Sequence, residues 1–304
     1  MRVSTQMLFE NGATRLGELQ SGLMRTQSQI ASGRRMLSPS DDPVAAARAL
    51  EITQSQSINT QHGVNRQHAK SALGLLEDTL AGVTSLLQDV KTSVVAAGNP
   101  TLTNVERGFM ASELRGRFEQ LLGLANTRDG MGNFMFSGYQ SNTPAFAEAP
   151  GGAQFQGDGG QVRLQVDANR QMAINASGQS VFQGGGQDVF AALDALITLL
   201  QTPVIDASTQ ADLTTGLGTA NVDLERALDN VLTVRASVGA RLQELDAFDS
   251  LGDDRNLRYS ETLSELQDLD YAEALTRLTQ QQVTLEAAQR TFVTVSGLSL
   301  FNFL

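Results

Sequence analysis

The residues with the chemistry to act on a substrate are few. His62 and His68 are the only histidines in the 304 residues. Six residues apart on a helix, they point to different faces, whereas paired metal ligands on a helix stand four apart. Asp41 and Asp42 are adjacent, and neighbouring carboxylates can share a proton or hold a cation. No histidine or further ligand accompanies them. The stretch Ser38-Pro39-Ser40-Asp41-Asp42-Pro43 reads instead as a turn, with Asp42 capping a helix whose first residue is Pro43. Gly157-Asp158-Gly159-Gly160, Gly184-Gly185-Gly186 and Gly130-Met131-Gly132-Asn133 resemble phosphate loops only in being rich in glycine. None carries the following Lys-Ser/Thr or the G-x-G-x-x-G spacing that phosphate binding uses, so they read as turns. With no cysteine there is no thiolate nucleophile and no disulfide. These residues suggest no enzyme, no cofactor and no metal.

The elements that would have to position such groups carry a stronger signal. Phe9, Leu16, Leu23, Ile30 and Leu37 recur every seventh residue near one end, and Tyr271, Leu278, Leu285 and Phe292 do so near the other. Seven residues are almost two helical turns, so each set is one stripe along a helix. The companion seam positions are weaker, most of them small or polar: Leu19, Thr26 and Gly33 in front, Ala274, Gln281, Ala288 and Val295 behind. Such seams allow close approach and give a weak pair in isolation. The stripes, together with the apolar Leu300, Phe301, Phe303 and Leu304, are therefore the candidate assembly interface, shared between neighbouring subunits.

Two fuller seams predict long bundle helices: Leu73, Leu76, Leu80, Val83, Leu87, Val90 and Val94, then Leu217, Ala220, Leu224, Ala227, Val231, Val234 and Val238. A shorter helix is expected over about Asn104 to Asn126. From Asp129 to Gly186 the chain is rich in Gly, Asn and Pro. Within it, alternating Val162, Leu164 and Val166, then Met172 and Ile174, predict two strands joined by a turn. The fold class is mainly α, a long helical bundle or coiled coil built from both chain ends with a β-rich insert. The expected domains are 1–42 with 266–304 as terminal coiled-coil helices, 43–132 with 188–265 as a helical bundle, and 133–187 as the insert at its far tip.

Composition narrows the partners. Net charge is −11, from 33 acidic and 22 basic residues, and only Lys70 and Lys91 are lysines. No basic stripe suits nucleic acid. No run of about 18 apolar residues suggests a membrane span, and the opening residues show no cleavable signal peptide. The acidity favours solubility and mutual repulsion before assembly.

The residues also carry a family resemblance. Gln27 to Arg35 (QSQIASGRR), followed by Ser38-Pro39-Ser40-Asp41-Asp42-Pro43-Val44-Ala45-Ala46-Ala47, is similar to the opening of the flagellin superfamily. Asp268-Leu269-Asp270-Tyr271-Ala272-Glu273-Ala274 with Leu278-Thr279-Gln280-Gln281-Gln282 resembles that superfamily's tail. Three features resemble the branch that forms hook–filament junctions rather than filaments: the start Met1-Arg2-Val3-Ser4-Thr5, the motif Phe134-Met135-Phe136-Ser137-Gly138-Tyr139 with Asn142-Thr143-Pro144-Ala145-Phe146, and Ser299-Leu300-Phe301-Asn302-Phe303-Leu304.

The resemblance implies a structural subunit of the bacterial flagellum. It would leave the cell by type III export, escorted by a cytoplasmic chaperone, and form a ring of its own copies. Hook-associated protein 1 would lie on one side of that ring and flagellin on the other. The insert would face outward. A short flagellin is the neighbouring alternative. A chemoreceptor-like helical bundle is the alternative of another class, and it calls for a membrane span that this sequence lacks.

Overall fold

The computed structural model describes residues 2–297 and is mainly helical. Its order is α1 (Arg2–Ser32), α2 (Pro43–Ala97), α3 (Asn104–Ala125), β1 (Phe146–Ala149), β2 (Gly152–Phe155), β3 (Arg163–Asp167), β4 (Arg170–Ala173), α4 (Gly178–Phe182), α5 (Val189–Gln201), α6 (Ala207–Gln267) and α7 (Tyr271–Gly297). The chain divides into a terminal unit, residues 1–59 with 253–304, and a central unit, residues 60–252.

In the terminal unit, α1 stops at Gly33, whose φ of 69° is left-handed. Glycine reaches that region without the Cβ penalty other residues bear, which makes it a common helix terminator. Leu37 was expected on the α1 stripe. It lies beyond this stop in the turn to α2, where it is exposed. A seven-residue repeat cannot register a break between two of its members.

The central unit buries the two long seams. Leu73, Leu76, Leu80, Val83, Leu87, Val90 and Val94 of α2 and Leu224, Val231 and Val238 of α6 are all buried. At about 1.5–3 kcal/mol for each large apolar side chain, these seams supply the main drive for this unit. Helix α3 begins with a capping box: Glu106 N donates to Thr103 Oγ1, and Thr103 N donates to Glu106 Oε2. Its inward residues Ala111, Leu114, Phe118, Leu121 and Ala125 keep the 3,4 spacing of a seam.

The insert holds two separate antiparallel hairpins. The alternation at Val162–Val166 corresponds to β3–β4, with Leu164 opposite Met172 and an irregularity between Gln165 and Asp167. The β1–β2 hairpin, with Phe146 opposite Phe155, has no alternating pattern in its Phe-Ala-Glu-Ala and Gly-Ala-Gln-Phe strands. The insert was expected at the far tip, and the structure corrects this. The β3–β4 hairpin lies along the flank of α2 and α6. Asn65 Nδ2 donates to Gln165 O (2.7 Å), Arg66 Nη1 to Val166 O (3.0 Å) and Arg241 Nη1 to Ala173 O (3.2 Å). At the start of α3, the Asn104 side chain both donates to Val204 O and accepts from Val204 N, tying α3 to the α5–α6 turn. The reason for the insert's place is aromatic burial. Phe146 of β1 meets Phe182 of α4 and Phe190 of α5 with centroids 5.5 and 4.9 Å apart, and Phe190 meets Phe118 of α3 at 5.7 Å. These rings join the insert to the helical core.

Candidate assembly interface

The terminal unit brings the two ends of the sequence together as an antiparallel pair. Phe9 of α1 meets Phe292 of α7. Further along, a Cβ added to Gly22 would stand 3.8 Å from Gln281 Nε2, and one added to Gly33 would stand 2.9 Å from the Tyr271 hydroxyl. Gly12 is closer still: a Cβ there would lie 2.7 Å from the Phe292 ring. The small residues on α1 are therefore what lets the larger α7 side chains in.

Burial follows one stripe on each helix. On α7 the residues from 271 to 295 that are not fully exposed are Ala274, Leu278, Gln281, Leu285, Ala288 and Phe292. On α1 they include Gly12, Leu16, Leu19, Leu23, Thr26 and Ile30. Both follow the alternating three- and four-residue spacing of a coiled-coil seam. Within this seam the companion positions Thr26 and Ala274 are the most deeply buried, at 3% and 2% exposure, while Leu16, Leu23, Ile30, Leu278, Leu285 and Phe292 are half-buried. Phe9 and Tyr271 remain more than half exposed. Leu300, Phe301, Phe303 and Leu304 lie outside the described residues.

Reasoning from periodicity did not find the apolar side chains that point away from this seam. Met24, Leu275, Val283 and Val293 are each more than half exposed. Their signal was their displacement from the seven-residue register on a helix with little charge, since α7 carries only Glu273, Arg277, Glu286 and Arg290. Two of those charges, Glu273 and Arg277, pair with each other one turn apart.

The turn between α1 and α2 locks to the junction of α6 and α7. Leu269 N donates to Gly33 O (3.0 Å) and Arg35 N to Gln267 O (2.8 Å). Gln29 Nε2, on a side chain that is 8% exposed, donates to Arg35 O. Asp41 accepts from Leu37 N and Ser38 N and pairs with Arg25 at 2.6 Å. The Leu37 and Ser38 amides, with Arg25 nearby, hold its carboxyl below the usual carboxylate range. Asp42 caps α2 by accepting from Ala45 N and pairs with Arg35. The adjacent carboxylates are thus a turn closure and a helix cap. Asp158, in the glycine stretch at 157–160, is likewise engaged by Tyr139 N and Gly160 N. Phe136, in the Phe134–Tyr139 motif, is fully buried against Phe182, so this residue of the motif serves the core.

Among the described residues no group of three acidic or histidine side chains is placed to hold a metal ion. No described helix is long and apolar enough to cross a membrane.

Comparison with known proteins follows the same layout. Residues 3–141 match the bacterial flagellin N-terminal helical region. The chain is 36% identical to flagellar hook-associated protein 3 of Escherichia coli (strain K12) over 316 aligned positions, covering 99% of both chains. The Salmonella typhimurium protein of the same name is also 36% identical over 99% of both. Among solved structures, flagellar hook-associated protein-3 from Legionella pneumophila superposes with a TM-score of 0.67 at 20% identity, covering 71% of this chain and 98% of that one.

Proposed function

The chain belongs to the flagellar hook-associated protein 3 family, and on that premise we propose that it joins the hook to the flagellin filament as a ring of its own copies. That it is a structural component of the flagellum comes with the family. The finer reading has four parts: hook-associated protein 1 below the ring, flagellin above it, export by the type III route without a cleaved signal, and a cytoplasmic chaperone before export.

The observation that carries this reading is the match over 99% of the chain to proteins of that name. The terminal unit supports it physically. The α1–α7 seam uses glycine, alanine, threonine and glutamine beside its leucines, and leaves Met24, Leu275, Val283 and Val293 in water. A two-stranded pair with so thin a seam gains stability when further apolar surface is covered. In this proposal the segments 1–42 and 266–304 form the assembly core, 43–132 with 188–265 form the bundle, and 133–187 faces outward. Leu16, Leu23, Ile30, Leu278, Leu285 and Phe292, with Phe9 and Tyr271 at the two ends, hold the pair together, and the outward apolar set meets neighbouring subunits.

Gold labelling of an epitope-tagged chain on intact flagella tests the proposal. One site of label beside the hook is the expected result. Label along the whole filament assigns the chain to filament formation instead.

A further inference from the structure

The terminal unit carries a groove of about 260 Å³ that nothing in the described chain fills, with mainly apolar walls beside the polar Arg34, Ser38, Thr53 and Gln267. Met36, Leu37 and Pro39 of the α1–α2 turn form one wall, and Ala46, Ala49 and Leu50 of α2 form the other. Leu37 is 42% exposed and Leu50 is 70% exposed. The turn that builds the groove is held by hydrogen bonds of Asp41, Arg35 and Gln29.

The sequence contains a segment with the matching chemistry. Leu300, Phe301, Phe303 and Leu304 place four large apolar groups within five residues. Their position along the chain decides which copy can use the groove. Helix α7 runs antiparallel to α1, so Phe292 meets Phe9 while the groove lies past the other end of α1, beyond Gly33. From Phe9 to Ser32 is about 35 Å of helix at 1.5 Å per residue, and Gly297 lies further out still. Leu304 is seven residues past Gly297, a reach of at most about 25 Å for a fully extended chain. A chain therefore cannot place its own Phe301 or Phe303 in its own groove.

We propose that the groove between the α1–α2 turn and the start of α2 receives the apolar Leu300–Leu304 segment of a second copy of this chain. The contact is heterologous, one surface on the first copy and a different one on the next. Such contacts close into a ring when the rotation between copies allows it. The inference rests on the reading that copies of this chain assemble with one another, and it names the surfaces by which they do so.

The absence of cysteine makes the test clean. Full-length Leu50→Cys chains are mixed at high concentration with full-length Phe303→Cys chains, oxidised, and the disulfide-linked pair is quantified. An Ile205→Cys chain, whose new thiol is exposed in the central unit, replaces Leu50→Cys as the control. Seating the segment in the groove raises the local thiol concentration, so the Leu50→Cys pair should exceed the control by at least about fivefold. Equal yields of the two pairs overturn the proposal. So does a Leu50→Cys/Phe303→Cys double variant that crosslinks within single chains at high dilution. Both single variants are also expressed in cells lacking the native chain, and labelled as above. Hook-side label without excess crosslinking rejects the groove contact and keeps the junction role. Excess crosslinking with label elsewhere keeps the contact and rejects the role.

Discussion

Phe9 and Phe292 meet with ring centroids 5.1 Å apart and planes tilted by 44°, which pairs residues near opposite ends of the 304-residue sequence. A Cβ on Gly12, one turn further along α1, would collide with the same Phe292 ring. The large residue on one helix and the missing side chain on the other are a single packing feature. Both Phe9 and Phe292 also keep exposed area.

Leu285→Asp should abolish assembly in cells and leave the central unit folded. Leu285 lies in the α1–α7 seam, and a carboxylate there loses water without gaining a partner. The core of the central unit is made by other residues, such as Leu80, Phe118 and Leu224. Motility and gold labelling read the first outcome, and thermal unfolding of the purified variant reads the second. Normal filaments on cells carrying only this variant would contradict it.

In the dilute monomer, amides over about the first 40 and last 35 residues should exchange far faster than those of the central unit. Few buried apolar contacts and a largely exposed backbone place α1 and α7 at the low end of local stability. Hydrogen exchange on a sample shown to be monomeric measures this. Protection at Leu16–Ile30 comparable to that at Leu73–Leu87 would contradict it.

Asp249→Asn should destabilise the central unit by about 3 kcal/mol, because it leaves the buried Arg66 without its carboxylate. Burial pushes the Asp249 carboxyl up, but Lys70 and Arg66 outweigh it and hold the group below the usual range. With the folded value depressed, the unfolded chain takes up the proton first as pH falls. The stabilisation is therefore full above about pH 4, the ordinary aspartate value, and is lost as pH falls through the folded value. Denaturant midpoints of the native chain and the variant should differ at pH 7, and the gap should begin to narrow only as pH falls below about 4. A gap of constant size would refute the charge pairing.

Purified chains should not grow into long filaments alone, even with a salting-out agent and filament seeds. A filament subunit must present a top that fits its own bottom, whereas the self-contacts of a junction subunit close within one ring and a different neighbour meets each face of that ring. Electron microscopy should show short rings or nothing. Micrometre-scale filaments of this chain alone would mark it as a flagellin.

The amino-acid sequence by itself determined which segments become the long helices, because an apolar residue every three or four positions can be buried together only on a helix. It determined the β3–β4 hairpin through alternation at Val162, Leu164 and Val166, and the start of α2 through Asp42 and Pro43. It also carried the family resemblance, in short motifs at both ends. Other features depend on what lies across from a residue, which periodicity does not encode. Only the tertiary structure decided that Leu37 leaves the α1 stripe, because Gly33 turns left-handed and locks to Leu269. Only the fold placed the insert on the flank of the bundle, because Phe146, Phe182 and Phe190 bury one another there and Arg66 and Arg241 hold the hairpin backbone. The β1–β2 hairpin exists for the same reason: Gly152, at φ 133°, lets its strand approach the backbone of Phe190 and Ala191, a contact between residues nearly forty positions apart. A stripe read from sequence names a face. Which partner covers that face is settled by the geometry of the folded chain, and here it divides the terminal helices into an inner seam that joins α1 to α7 and an outer apolar set that the chain leaves open.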